Sequence, residues 1–331
     1  MKILWLYKYD SAYNFDHWFH MDMVKAIRKE GHDCWAYGPK IDIGYASLAL
    51  TSYNQFITME DLHRSFQFDI AIVVTQSRMF SYYRPALVQP IQPERKEGCW
   101  LPKDFSTWPG KKVVLEEDYH YEDNNNWYQE MNIDLVLQRH YSNVDRFYSN
   151  DNQGIKCLWH PFSVDESIFK PSNQERIQKL CLVGSSVERI YPLRVKTDKI
   201  LKPQGLLDHP GRLLDGEYVK CLQSYVGHLS CSSIFNITPA KMFEIMSSGS
   251  VLLTEEGEEY GLKELFPKDC YVTYKRDGSD LLDRATKILN DRQWREDLTK
   301  RGRECILEKH THSKRITQMV NIFKKEFVHH V

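Results

Sequence analysis

The chain has 331 residues, 42% apolar and 27% charged, and its 44 Lys+Arg against 45 Asp+Glu leave a formal net charge of −1. That length accommodates two domains of ordinary size, each with its own core. The balance of apolar and charged residues excludes a disordered chain and a strongly polyanion-seeking one.

The N-terminus, Met-Lys-Ile-Leu-Trp-Leu-Tyr, enters a strand pattern without a long apolar leader, and no run of eighteen apolar residues occurs. A cytoplasmic protein without a membrane span is the expectation. The eight cysteines, at 34, 99, 157, 181, 221, 231, 270 and 305, are scattered, with no C-x-x-C pair and no Cys/His cluster at zinc spacing. They read as reduced and mostly buried thiols.

In chain order, residues 2–7 are a short apolar strand, and a polar, aromatic loop leads into a helix over about 16–29 that Gly31 closes. Residues 32–37 return as a second strand, so the chain opens on a βαβ unit. The turn lacks G-x-G-x-x-G, which counts against an NAD enzyme. Residues 40–56 carry no clear pattern, 59–65 are helical, and 68–74 are a continuous apolar strand of the kind buried on both faces of a parallel sheet. Prolines at 85, 90, 93, 102 and 109 make 77–110 partly an extended loop over the open edge of that sheet.

Residues 112–115 form the next strand and run into Glu116-Glu-Asp-Tyr-His-Tyr-Glu-Asp123. Ligands gather at the carboxyl ends of parallel strands, so Asp118 and His120 are candidates there, against the competing reading of an acidic solvated loop. A strand at 134–138, a helix at 143–148 and a strand at 155–159 follow, and the Pro-bounded stretch 160–171 reads as a crossing between domains. Aromatics make up 13% of the chain and crowd its first half. Most belong to packing, and the remainder could stack on a sugar ring or a base.

The second half restarts the rhythm. Residues 179–183 are a strand, Gly184-Ser185-Ser186 a tight turn, and a helix over 189–201 begins near Tyr191-Pro192. A small-residue turn opening onto a helix, with Arg189 and Arg194 beside it, is a candidate anion cradle. Loop is expected over 204–216, helix over 217–225 and strand over 229–236.

Residues 238–254 then read as a helix followed at once by a buried strand. Thr238 is placed to cap the helix, Pro239 suits its first turn, Met242, Phe243, Ile245 and Met246 supply an apolar face, and Gly249 ends it. Its free N-terminus, with Lys241, favours a phosphate, and Glu244 lies one turn in, where a carboxylate could hold two ribose hydroxyls. The competing reading leaves Glu244 a solvated helix residue. Elements at 262–266 and 270–274 and helices at 279–290, 291–309 and from 312 onward complete the chain. Residues 1–170 hold 18 Lys+Arg against 23 Asp+Glu and residues 171–331 hold 26 against 22, which suits a nucleoside diphosphate on the second half better than a long phosphate backbone on the first.

Thr238-Pro-Ala-Lys-Met-Phe-Glu-Ile-Met-Ser-Ser-Gly-Ser-Val-Leu-Leu-Thr254, with Glu264-Leu-Phe-Pro267, Tyr271-Val-Thr-Tyr274 and Lys309-His-Thr-His-Ser-Lys-Arg315, resembles the carboxyl domain of group 1 glycosyltransferases, most closely the spore-maturation type. Leu182-Val-Gly-Ser185 with Tyr191-Pro-Leu-Arg194, and the stretch 160–171, are similar to the same family at corresponding places. The resemblance covers about residues 155–318; the first half shares only the β/α rhythm.

The resemblance implies an α/β protein of the GT-B class, two Rossmann-like domains with parallel sheets facing across a cleft. Residues 1–160 would be the acceptor side, 161–175 a linker, 176–310 the nucleotide-sugar domain, and 311–331 a C-terminal helix packing back on the first domain. Glu244 would bind the donor ribose, and Lys241 with the amides after Thr238 the diphosphate. Gly184, Ser185, Arg189 and Arg194 would line the other side, and Gly249 would close the donor helix. Where the wider family often has a second Glu, eight residues before Glu244, this chain has Asn236, and the spore-type branch commonly lacks that Glu too.

The expected reaction is transfer of a sugar from a nucleoside diphosphate sugar, UDP-sugar foremost, to an acceptor hydroxyl, with retention and without a metal or other cofactor. Arg194 and Lys241 would stabilise the leaving diphosphate, and Asp118 or His120 would orient the acceptor or shield the sugar cation. The acceptor stays open between a glycan, a small molecule and a modified DNA base. A nucleotide-sugar 2-epimerase and a non-catalytic sugar-binding or coat module are the other readings.

Overall fold

The computed structural model describes residues 1–7, 14–38, 48–50, 58–75, 101–117, 126–149, 154–257 and 260–327. The chain divides into two compact units, residues 1–161 with 316–331, and residues 162–315.

The first unit is built on a six-stranded sheet of β1 (Lys2–Leu6), β2 (Asp33–Tyr37), β3 (Ile70–Thr75), β4 (Lys111–Glu116), β5 (Leu135–Gln138) and β6 (Lys156–Trp159). The order is β2-β1-β3-β4-β5-β6, and every pairing is parallel. Alternation along β1 explains its unbroken apolar run: Ile3 and Trp5 join one core cluster while Leu4 and Leu6 join the other, so the strand is buried on both faces. Helices α1 (Asn14–Lys29), α2 (Met59–Ser65), α3 (Asn126–Glu130) and α4 (Tyr141–Ser149) accompany it. Thr58 caps α2 by accepting the Asp61 N–H at 3.1 Å.

The second unit carries a five-stranded parallel sheet in the order β11-β10-β9-β7-β8. Its strands are β7 (Ile177–Val183), β8 (Leu207–Gly211), β9 (Tyr225–Leu229), β10 (Val251–Glu255) and β11 (Val272–Tyr274). Helices α5 (Pro192–Leu201), α6 (Asp215–Ser224), α7 (Ala240–Ser247), α8 (Leu262–Leu265), α9 (Leu281–Asn290) and α10 (Arg292–Lys309) connect and cover it. A last helix, α11 (His312–Phe327), runs into the first unit's share of the chain, where Ile316, Met319, Val320 and Phe323, at helical spacing, lie in the same core cluster as Ile3 and Trp5. Among the described residues no helix is long and apolar enough to cross a membrane.

Two elements differ from the sequence expectation. The stretch expected as loop over 204–216 contains strand β8, in which Pro210 and Gly211 are tolerated because β8 is the sheet edge, paired only to β7. The strand expected over 229–236 instead starts at Tyr225 and ends at Leu229. Its Gly227 reads as a breaker, but a side chain there would meet Leu180 Cδ2 at 2.7 Å, so the glycine lets the strand lie under its neighbour.

Gly302 makes a similar close approach in α10. A Cβ there would come within 2.8 Å of the Cys270 carbonyl oxygen, which is backbone and cannot turn aside. Replacing glycine by alanine inside a helix ordinarily gains about 1 kcal/mol in propensity. We expect Gly302→Ala to lose about 1–3 kcal/mol instead, through overpacking. Denaturant unfolding measures it, and a stabilised variant would show that α10 is free to shift.

Candidate functional site

Two cations and a buried carboxylate of the second unit gather where β7 ends and α7 begins. β7 runs out at Val183, and Gly184 follows with φ +119, a left-handed value that glycine takes without strain. The space a Cβ would occupy is already closed: it would lie 3.0 Å from Lys241 Nζ and 3.2 Å from Arg194 Nη1. The turn therefore brings backbone against two cations from different helices, α7 and α5.

Each cation is held in place. Arg194, buried on the first turn of α5, donates from Nη1 to the Ser185 carbonyl at 2.8 Å and stacks its guanidinium over the Tyr191 ring at 3.8 Å. Pro192 opens α5 where the missing N–H costs nothing. Lys241 donates from Nζ to the Val183 carbonyl. Burial of its ammonium, and then the repulsion of Arg194, pull Lys241 down to about 7.

Glu244, one turn further along α7, is 7% exposed, so it is not a solvated helix residue. Its Oε2 accepts the Tyr218 hydroxyl from α6. Burial pushes the carboxyl up to about 7, against the hydrogen bond from Tyr218 and the attraction of Lys241. The same carboxylate and the same burial drive the Tyr218 phenol well above its usual range.

The opening of α7 differs from the expectation in one respect. Pro239, not Thr238, is the N-cap, and the cap has no side-chain hydrogen bond. Thr238 donates its hydroxyl to the Tyr260 carbonyl at 2.6 Å, so the capping role assigned to it is wrong and it ties down the following acidic turn instead. Met242, Phe243, Ile245 and Met246 are fully buried, as their spacing indicates.

The structure thus brings together Gly184, Ser185, Arg194, Lys241 and Glu244, with Thr238 at the foot of the same helix. Arg189 is exposed in the turn before α5. Gly249 is not with them: it follows α7 at its far end, with φ +71, packed so that a Cβ would meet Pro171 Cγ at 2.8 Å. Asn236 takes φ +54, and its Oδ1 accepts from Arg276 at 3.2 Å. Asp118 and His120 lie outside the described residues, as do the aromatics Phe80, Tyr82 and Tyr83.

Sequence reasoning missed several partners. Tyr218 gives no signal because it is one of several residues on a plain amphipathic helix. His209 shows none either. It bridges Asp198 Oδ2, at 2.7 Å from Nδ1, to the Gly184 carbonyl, at 2.9 Å from Nε2, and so supports the turn from below. Glu255 is fully buried at the end of β10 and accepts from the Ser232 N–H at 2.8 Å and from the Ser232 hydroxyl. In the first unit, Glu116 and Glu117 end β4 in buried positions. Glu117 meets His20 at 3.1 Å and Arg139 at 3.5 Å, and Glu116 accepts the Tyr128 hydroxyl at 2.7 Å.

Residues 171–321 match the family described as glycosyl transferase-like. No curated protein matches the chain significantly. Among solved structures, a glycosyltransferase from Rickettsia africae ESF-5 is similar over 98% of each chain, at 12% identity and a TM-score of 0.65. Anabaena Alr3699/HepE, in complex with UDP and glucose, aligns over 98% of this chain and 99% of its own, at 9% identity and a TM-score of 0.61. An alpha-glucosyltransferase in complex with UDP and a 13-mer DNA containing an A:G mismatch aligns over 98% and 100%, at 9% identity and a TM-score of 0.62. The second half of the chain therefore resembles a glycosyl transferase-like family, and the chain as a whole has the GT-B fold.

Proposed function

We propose that the protein transfers a sugar from a UDP-sugar to an acceptor hydroxyl, with retention of configuration and without a metal ion, as a glycosyltransferase of the spore-maturation type. The observation that carries the reading is the convergence of Lys241 and Arg194 on the Gly184 turn, beside the amino end of α7, whose cap makes no side-chain hydrogen bond, and one turn from the buried Glu244.

Breaking a glycosyl phosphate bond leaves negative charge on the diphosphate and positive charge on the sugar. Two fixed cations, backbone N–H groups at the start of α7 and the dipole of that helix are placed to stabilise the first of these. The two side chains are held in place before the ligand arrives, so little reorganisation is needed as the charge develops. Glu244 as a carboxylate accepts from the two ribose hydroxyls. UDP is chosen as the donor nucleotide because two of the similar GT-B structures hold it. The acceptor belongs to the first unit, with Asp118 and His120 as the groups proposed to orient its hydroxyl.

The pH dependence follows from the two displaced groups. Lys241 must be protonated to bind a diphosphate, and in the free protein it loses its proton as pH rises through about 7. Glu244 must be ionised to accept ribose hydroxyls, and it gains a proton as pH falls through about 7. UDP affinity should therefore peak near neutrality and fall on both sides. Calorimetric titration with UDP across pH 5–9 measures it. Glu244→Gln should abolish the acid limb beyond what the nucleotide's own phosphate, with a second pKa of about 6, produces. Lys241→Met should weaken binding and flatten the alkaline limb. Wild-type affinity in both variants removes the assignment.

Tyr218→Phe tests the same carboxylate more narrowly. The hydrogen bond from Tyr218 holds the Glu244 carboxyl down, so its loss should move the acid limb to higher pH and leave the alkaline limb in place. An unmoved acid limb would show that another group sets it.

A further inference from the structure

A second cluster in the same unit is unused by this reading. Cys181 on β7, Cys221 on α6 and His228 on β9 bring one ligand atom each to a common point, all within 4.8 Å of one another. The three are 0%, 9% and 1% exposed. The two sulfurs are 3.6 Å apart. Two thiolates sharing a tetrahedral zinc ion, with Zn–S bonds of about 2.3 Å, sit at nearly that separation.

The imidazole is oriented for ligation. The Ser250 hydroxyl donates its single proton to the Tyr225 carbonyl at 3.1 Å, and its oxygen lies 2.8 Å from His228 Nδ1. In the arrangement with that proton on the Tyr225 carbonyl, the serine oxygen accepts from Nδ1–H, which leaves the lone pair on Nε2 for the cation. Nε2 is buried with no partner at full hydrogen-bond geometry, although the Cys221 backbone lies close enough to favour a protonated ring. A carbonyl cannot satisfy it, because both atoms would be acceptors; a cation can. A ligating histidine that gives its other N–H to a fixed oxygen is the usual outer-shell arrangement of metal sites.

We propose that Cys181, Cys221 and His228 bind a thiophilic divalent cation, Zn2+, through two thiolate sulfurs and Nε2, with water in the fourth position. Binding displaces two thiol protons and leaves the three side chains and the ion with no net charge. The ion joins β7, α6 and β9, two of which also carry the partners of Lys241 and Glu244. Cys181 lies two residues before Val183, which holds Lys241, and Cys221 three residues after Tyr218, which holds Glu244. The three ligands are far apart in sequence, so no zinc spacing announces them.

The test uses the full chain, purified metal-free under reducing conditions and titrated with Co2+. One equivalent should give thiolate-to-cobalt charge-transfer absorption with the visible bands of a tetrahedral site, and Zn2+ should displace it. Cys181→Ser and Cys221→Ser should lose the charge-transfer signal, while Cys305→Ala should keep it. Ser250→Ala, which leaves every ligand in place, should weaken Zn2+ binding by about 10–100-fold in a chelator competition. Bound Zn2+ should also raise the melting temperature of the wild type and not that of the cysteine variants. Absence of the charge-transfer band in reduced wild type overturns the proposal, as does its persistence in both cysteine variants. Recovery of the two sulfurs as a disulfide from protein that takes up no Co2+ when reduced would make the pair a redox couple and also overturn it.

Discussion

The second unit depends on holding a lysine and an arginine against one glycine, with a buried carboxylate one turn along the helix from the lysine. Gly184 is the pivot. Its left-handed backbone turns the chain at the carboxyl end of β7, and its missing side chain is where Lys241 and Arg194 come closest to the main chain. Around it the fold spends its polar groups on positioning. The Val183 carbonyl holds Lys241, the Ser185 carbonyl holds Arg194, Tyr218 holds Glu244, and His209 with Asp198 holds Gly184 itself. The turn is therefore fixed from both sides before any ligand binds, which is the preorganisation an electrostatic site requires.

How much of this was legible in the sequence depended on whether the signal was local. Most strands of the two sheets were visible because doubly buried parallel strands are continuous apolar runs, as in Ile70 to Val74 and Val251 to Leu253. α7 was visible from Met242, Phe243, Ile245 and Met246, and the pairing of that helix with the Gly184 turn came from a family resemblance that residues 171–321 bear out at the level of the family. β8 was not visible, because an edge strand can carry Pro210 and still pair on its other side. Thr238 looked like a cap since threonine before a helix usually is one. Here the hydroxyl has a competing acceptor in the Tyr260 carbonyl, 22 residues away, and the tertiary bond prevails. Tyr218, His209 and the Cys181–Cys221–His228 cluster were illegible for the same reason: each acts through partners that only the fold brings near.

The displaced protonation states carry a free-energy consequence whose sign can be worked out. Glu244 has a folded-state pKa of about 7, above the ordinary carboxylate value of 4.5, so folding disfavours its ionised form. The resulting penalty is absent below the unfolded pKa and fully present once pH exceeds the folded one. Lys241 has a folded-state pKa of about 7, below its ordinary 10.5, so folding disfavours its protonated form. That penalty is absent above 10.5 and fully present below 7. Near neutral pH the folded chain bears most of both together. Their mutual attraction is already part of these positions, since each lies among the causes that oppose the other's shift.

A group kept at such a cost by the fold alone would be replaced readily by an apolar side chain of similar size, because a dry core without ions is often the more stable arrangement. On the function proposed above, a ligand with an anionic diphosphate and a ribose diol would remove the cost of each: the diphosphate would restore counter-charge to Lys241 and Arg194, and the hydroxyls would replace the water lost by Glu244. The binding free energy of such a ligand then contains the relief of strain already present in the free protein. The same logic separates this site from the buried Glu255, which receives the Ser232 N–H, the Ser232 hydroxyl and the Thr254 hydroxyl from its own chain. Glu255 is served internally and braces the loop after β9, whereas Glu244 accepts a single hydroxyl, from Tyr218, and keeps acceptor capacity to spare.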